Sequence, residues 1–95
     1  MAIRVRIPGP LRQFCGGRSQ IEIQAENVAQ VLEALEQQFP GIRARLCEDN
    51  GELRRFINIY VNDEDIRFLN HLDTALKPGD QVSIIPAIAG GSGLD

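Results

Sequence analysis

The stretch Asn27-Val28-Ala29-Gln30-Val31-Leu32-Glu33-Ala34-Leu35-Glu36-Gln37-Gln38-Phe39-Pro40-Gly41 decides how this chain folds. Val28, Val31, Leu32, Leu35 and Phe39 recur at the spacing of one helical side, leaving Gln and Glu for the other. Asn27 suits the N-cap, because its short side chain can accept from a first-turn N–H that has no helical partner. Gln30, three positions on, stands where a capping-box partner belongs. Pro40 cannot continue the helix and Gly41 accepts a left-handed backbone, so the helix ends there.

On its N-terminal side the period changes to two. Ile3, Val5 and Ile7 alternate with Arg4 and Arg6, and Ile21 and Ile23 alternate with Glu22 and Gln24. Pro8-Gly9-Pro10 and Gly16-Gly17 punctuate the connection, which predicts a hairpin with a long loop. On the C-terminal side, Ile42 to Leu46 predicts a short second turn. Arg55 to Val61 is rich in β-branched and aromatic residues, predicting a central strand. Asn62-Asp63-Glu64-Asp65 turns the chain and Ile66-Arg67-Phe68 predicts a short strand. Lys77-Pro78-Gly79-Asp80 is a further turn, followed by a last strand from Gln81 to Pro86.

Strand, strand, helix, strand, short strand, strand is an α+β order. A single main helix must cover one side of a mixed sheet of four to five strands, since neither can bury its apolar side alone. That is the β-grasp arrangement, with the first and last long strands as parallel neighbours at the centre. The domain is expected over residues 1–87. Residues 88–95 form a tail with a diglycine at Gly90-Gly91 and a four-residue extension, Ser92 to Asp95.

Composition narrows the function. With 95 residues there is room for one domain and no separate catalytic unit. The net charge of −3, with nine arginines scattered and no interleaved aromatics, argues against nucleic-acid binding. Two distant cysteines, no apolar signal run and no bilayer-length segment read as a reduced, cytoplasmic protein with no membrane partner.

Site chemistry is sparse. His71, Cys15 and Cys47 do not form a zinc set, and Asn62 to Asp65 lacks the ligand spacing of a calcium loop. Cys15 beside Gly16-Gly17 has no base to activate it. Gly90-Gly91-Ser92-Gly93 precedes no helix, so it is not a phosphate loop. The tail remains. Ala87 to Gly91 can extend roughly 16–18 Å, and two residues without Cβ let its end enter a narrow site in another protein. A carboxylate there is a poor electrophile until adenylation makes it a mixed anhydride.

Val82-Ser83-Ile84-Ile85-Pro86-Ala87-Ile88-Ala89-Gly90-Gly91 resembles the ending of the ubiquitin-like sulfur carriers. Tyr60-Val61-Asn62-Asp63-Glu64-Asp65, with Ile7-Pro8, Leu11-Arg12 and Gly16-Gly17, resembles the cysteine-biosynthesis type within that family. The resemblance implies a carrier rather than an enzyme, binding no cofactor itself. A ubiquitin-activating-type enzyme would adenylate Gly91 with ATP and Mg²⁺, and the adenylate would become a thiocarboxylate. Ala89, Gly90 and Gly91 would enter the partner's site. A synthase using pyridoxal phosphate, or the large molybdopterin-synthase subunit, would take the sulfur. Internal glycine cannot be adenylated, so either a protease cuts between Gly91 and Ser92, a zinc enzyme being the economical candidate, or Ser92 to Asp95 are foreign to the natural protein.

Docking requires an apolar patch on the uncovered sheet side. If Val82 and Ile84 point to the helix, Ile85 points away, and Phe56, Tyr60, Ile66 and Ile88 are expected beside it. Three alternatives stay open. The chain could be a molybdopterin-synthase small subunit, a modifier conjugated through Gly91, or a β-grasp interaction module with no covalent role.

Overall fold

The computed structural model describes residues 2–86, so Ile88, Ala89, Gly90, Gly91 and Ser92 lie outside the described residues, as does the expected tail. The strands are β1 (Ala2–Arg6), β2 (Gln20–Gln24), β3 (Ile57–Val61), β4 (Glu64–Asp65) and β5 (Gln81–Pro86). The helices are α1 (Val28–Gln38) and α2 (Ile42–Leu46), with 3₁₀ turns at Gly9–Cys15, Ile66–Phe68 and His71–Asp73. One five-stranded sheet runs β2-β1-β5-β3-β4. β1 and β5 are parallel at its centre, with Val5 beside Val82. The other pairings are antiparallel. This is the β-grasp order expected from the chain.

The period-two residues sort as they must. Ile3, Val5, Ile59, Val82 and Ile84 are buried beneath Val28, Val31, Leu32 and Leu35 of α1. Full burial of each such aliphatic side chain is worth about 1.5–3 kcal/mol, so this layer supplies most of the driving force. Leu11 and Cys15 of the first 3₁₀ turn, and Ile42 and Leu46 of α2, close the ends of the same core. The short turn expected at 42–46 is therefore a five-residue helix held by two buried anchors.

Asn27 caps α1, its Oδ1 accepting the Gln30 N–H at 2.8 Å. Gln30 answers one residue earlier than a standard box. Its Oε1 accepts the Glu26 N–H at 2.8 Å. Phe39, expected on the buried helical side, is instead the C-cap, with φ −133° and only partial burial.

The short strand expected at 66–68 is a correction. Asn62 and Asp63 take φ of 51° and 75°, the left-handed pair of a tight two-residue hairpin turn. The chain therefore returns at once, pairing Glu64 with Val61 and Asp65 with Tyr60. Residues 66–68 then curl into a 3₁₀ turn, because Asp65 Oδ1 accepts the Arg67 N–H at 2.9 Å.

Candidate functional site

β5 carries the root of the tail. It lies between β1 and β3, paired with β1 from Gln81 to Ser83 and with β3 as far as Pro86, so β3 anchors the end from which the chain continues. The side of the sheet opposite α1 has no covering element among the described residues. There the register aligns Arg6, Ser83 and Tyr60 in one row, and Ile85 with Asn58 in the next. Arg6, Pro8, Arg12, Tyr60, Ile85 and Pro86 line a groove of about 380 Å³ at the root of the tail. Arg12 is steered by its own Nε, which donates to the Ile7 carbonyl at 3.1 Å.

Of the residues expected to dock a partner, Ile85 is 45% and Phe56 54% exposed. Tyr60 is half-buried in β3, paired with Ser83, two residues before Ile85. Ile66 is a correction. It is 1% exposed and belongs to the core, because the 3₁₀ turn folds it inward. Its neighbour Phe68 takes the outer position, at 86% exposure. The sequence reading missed Arg6 and Arg12, although strand alternation already sets Arg4 and Arg6 opposite the buried Ile3 and Val5.

A second hollow of about 500 Å³ lies by the turn after β4, bordered by Asp65, Ile66, Arg67 and His71. Arg67 Nη2 stands 2.7 Å from Asp65 Oδ2, and this guanidinium holds the Asp65 carboxyl below the usual carboxylate range. Cys15 and Cys47 are free and buried, and burial pushes both thiols up, which keeps them protonated and unreactive. Among the described residues, no cluster of three His, Cys, Asp or Glu is placed to hold a metal. No helix among them is long and apolar enough to cross a membrane.

A β-grasp domain whose last strand is followed in the sequence by a diglycine is a ubiquitin-like protein. Within that class, the model of the ThiS family matches residues 5–91, and this chain belongs to that family. It is 44% identical over 93 residues to the sulfur carrier protein CysO of Mycobacterium tuberculosis, covering 96% of this chain and 100% of that one. It is 34% identical over 94 residues to small archaeal modifier protein 3 of Haloferax volcanii, with 96% and 100% covered. A chain of the Amycolatopsis orientalis BexX/CysO complex superposes with a TM-score of 0.88 at 43% identity, covering 95% of this chain and 100% of that chain.

Proposed function

We propose that this chain is a sulfur carrier for biosynthesis, most directly of cysteine, and a co-substrate of its partner enzymes rather than a catalyst. The observation that carries the reading is the 44% identity to a sulfur carrier along that carrier's whole length. The family match reaches Gly91 and stops there, with Ser92 to Asp95 beyond it.

The chemistry follows from an acid end group. While Ser92 follows Gly91, the Gly91 carbonyl is an amide and offers no carboxylate. Hydrolysis of that peptide bond by a processing protease, for which a zinc enzyme is suited, frees the acid. One carboxylate oxygen then attacks the α-phosphorus of ATP, held with Mg²⁺ in a ubiquitin-activating-type enzyme. Pyrophosphate leaves and an acyl adenylate remains. Sulfide attacks the acyl carbon, AMP departs with the bonding pair, and Gly91 ends as a thiocarboxylate. The domain supplies a root at Pro86 and an arm of roughly 16–18 Å from Ala87 to Gly91. Phe56, Tyr60 and Ile85 supply an apolar docking patch, and a cysteine-forming synthase consumes the sulfur.

The test is intact-mass measurement after co-expression with the activating enzyme and a sulfide source. The expected species ends at Gly91 with one oxygen replaced by sulfur. Persistence of unmodified full-length chain under those conditions counts against the reading.

The similarity to small archaeal modifier protein 3 favours a second reading, conjugation through Gly91 to amines of other proteins. Lys77 is the single lysine of this chain, so polymeric conjugates through lysine have one branch point. A ladder of heavier species on immunoblots would support it.

A further inference from the structure

We propose that the outer edge of β2 is a self-association site, where a second copy of this chain adds its own β2 antiparallel and joins two five-stranded sheets. The inference does not rest on the carrier reading, because β1 separates this edge from β5 and from the segment after Pro86.

The backbone shows the vacancy on this edge. β2 is paired on one side only, with β1. The Ile7 N–H donates to the Ser19 carbonyl at 2.9 Å, which fixes the alternation of the ladder. Ser19, Ile21 and Ile23 direct their backbone groups at β1, so Gln20, Glu22 and Gln24 turn theirs outward. Among the described residues these outward groups have no backbone partner. Such a row is a template for another strand. The opposite edge, β4, has two residues and runs into a 3₁₀ turn, so it offers no comparable row.

Charge selects the occupant and its register. Ile21 and Ile23 are buried, while Arg18, Gln20 and Glu22 are exposed and alternate with them on the other side of the sheet. The ion pairs among the described residues are Arg54–Glu48 and Arg67–Asp65, so Arg18 and Glu22 take part in none. A second copy related by a two-fold axis through Gln20 sets Arg18 opposite Glu22 on both sides of that axis. Gln20 then faces its counterpart, and each amide both donates and accepts. The Gln20 pair exchanges its backbone bonds, and each Glu22 N–H meets the Arg18 carbonyl of the other copy. The Arg18 N–H stays with the Cys15 carbonyl, at 3.1 Å. An axis through Glu22 would instead bring two carboxylates face to face, which is destabilising. The edge is therefore complementary to itself in one register.

A two-fold contact uses each edge once, so association stops at two copies. The contact is short and polar, which makes it weak and reversible.

The test is sedimentation velocity of the full chain from about 10 μM to about 1 mM, where a small polar interface gives a monomer–dimer equilibrium that salt weakens. Arg18→Glu and Glu22→Arg should each weaken association about tenfold or more. Combining them should restore it to within about threefold, because the exchange of charges rebuilds both pairs. Urea midpoints of the variants verify that they remain folded. A separate readout is cross-linking. Gln20→Cys should give a disulfide-linked dimer in mild oxidant, since opposed residues of a hydrogen-bonded pair lie about 5.5 Å apart, within disulfide reach. Gln24→Cys faces no strand residue of the second copy and should not, and the native cysteines are buried. A monomer throughout the range overturns the proposal. So does association that the single reversals leave unchanged or that the combined variant fails to restore. Equal cross-linking of Gln20→Cys and Gln24→Cys overturns the register and the proposal with it.

Discussion

Asn62 Nδ2 donates to Asp80 Oδ1 at 2.9 Å, and the same amide's Oδ1 accepts the Gln81 N–H at 3.0 Å. The hairpin turn after β3 is thereby pinned to the first residue of β5, the strand that carries the tail. Asn62 also holds φ at 51°, a conformation that Asn tolerates better than most residues. Asn62→Ala loses both side-chain bonds at about 0.5–1.5 kcal/mol each and adds left-handed strain. We expect a loss of about 2–3 kcal/mol, read as a lower urea midpoint with unchanged slope. A change below about 0.5 kcal/mol would show that the clamp contributes nothing.

Asp65 makes stability depend on pH in a definite direction. The Arg67 side chain lowers its folded-state pKa, assisted by the Arg67 backbone N–H. A depressed carboxylate stabilises the fold above its unfolded pKa of about 3.9 and loses that contribution as pH falls through the folded value. The native protein should therefore lose stability on acidification below about pH 4. Asp65→Asn should be less stable at neutral pH and have a flatter profile in that acid range. Thermal midpoints of the two proteins from pH 2 to 7 should converge at the acid end, and parallel curves would refute the coupling.

Ile66 and Ile85 separate structural from docking roles. Ile66 is 1% exposed, so Ile66→Ala should destabilise by about 2–4 kcal/mol. Ile85 is 45% exposed, so Ile85→Ala should change stability by less than about 1 kcal/mol. In ATP–pyrophosphate exchange with a ubiquitin-activating-type enzyme, Ile85→Ala should raise the KM for this chain while the surviving folded Ile66→Ala behaves as native. The reverse pattern would return Ile66 to the docking surface.

These contrasts show where a sequence is legible. The helix at 28–38, the alternation of Ile3 and Val5, and the inward pairing of Val82 with Ile84 follow from periodicity, because burial on one side of a regular element leaves a repeating mark. Residues 62–68 leave no such mark. Their path depends on two consecutive left-handed residues and one aspartate cap, which reverse the chain too soon for a period to form. That is why Ile66 reads as exposed and folds inward. The basic groove was half legible. Alternation places Arg6 on the open side, but only the register beside Ser83 and the Arg12 contact to Ile7 bring the two arginines to the root of the tail.

The buried thiols bear on the carrier reading directly. An acyl adenylate is open to any nearby thiolate, and capture by a cysteine of the carrier itself would yield a thioester in place of the thiocarboxylate. Cys15 is fully buried and Cys47 nearly so, and burial raises both thiols above their ordinary range. Arg43 opposes the shift at Cys47, through a hydrogen bond and its charge, and nothing comparable acts on Cys15. Iodoacetamide at neutral pH should therefore leave the native protein unlabelled while both cysteines react in denaturant. Partial labelling, where it occurs, should fall on Cys47 before Cys15. Rapid native labelling of Cys15, located by peptide mass, would show that the core opens there and would place a competing nucleophile on the carrier.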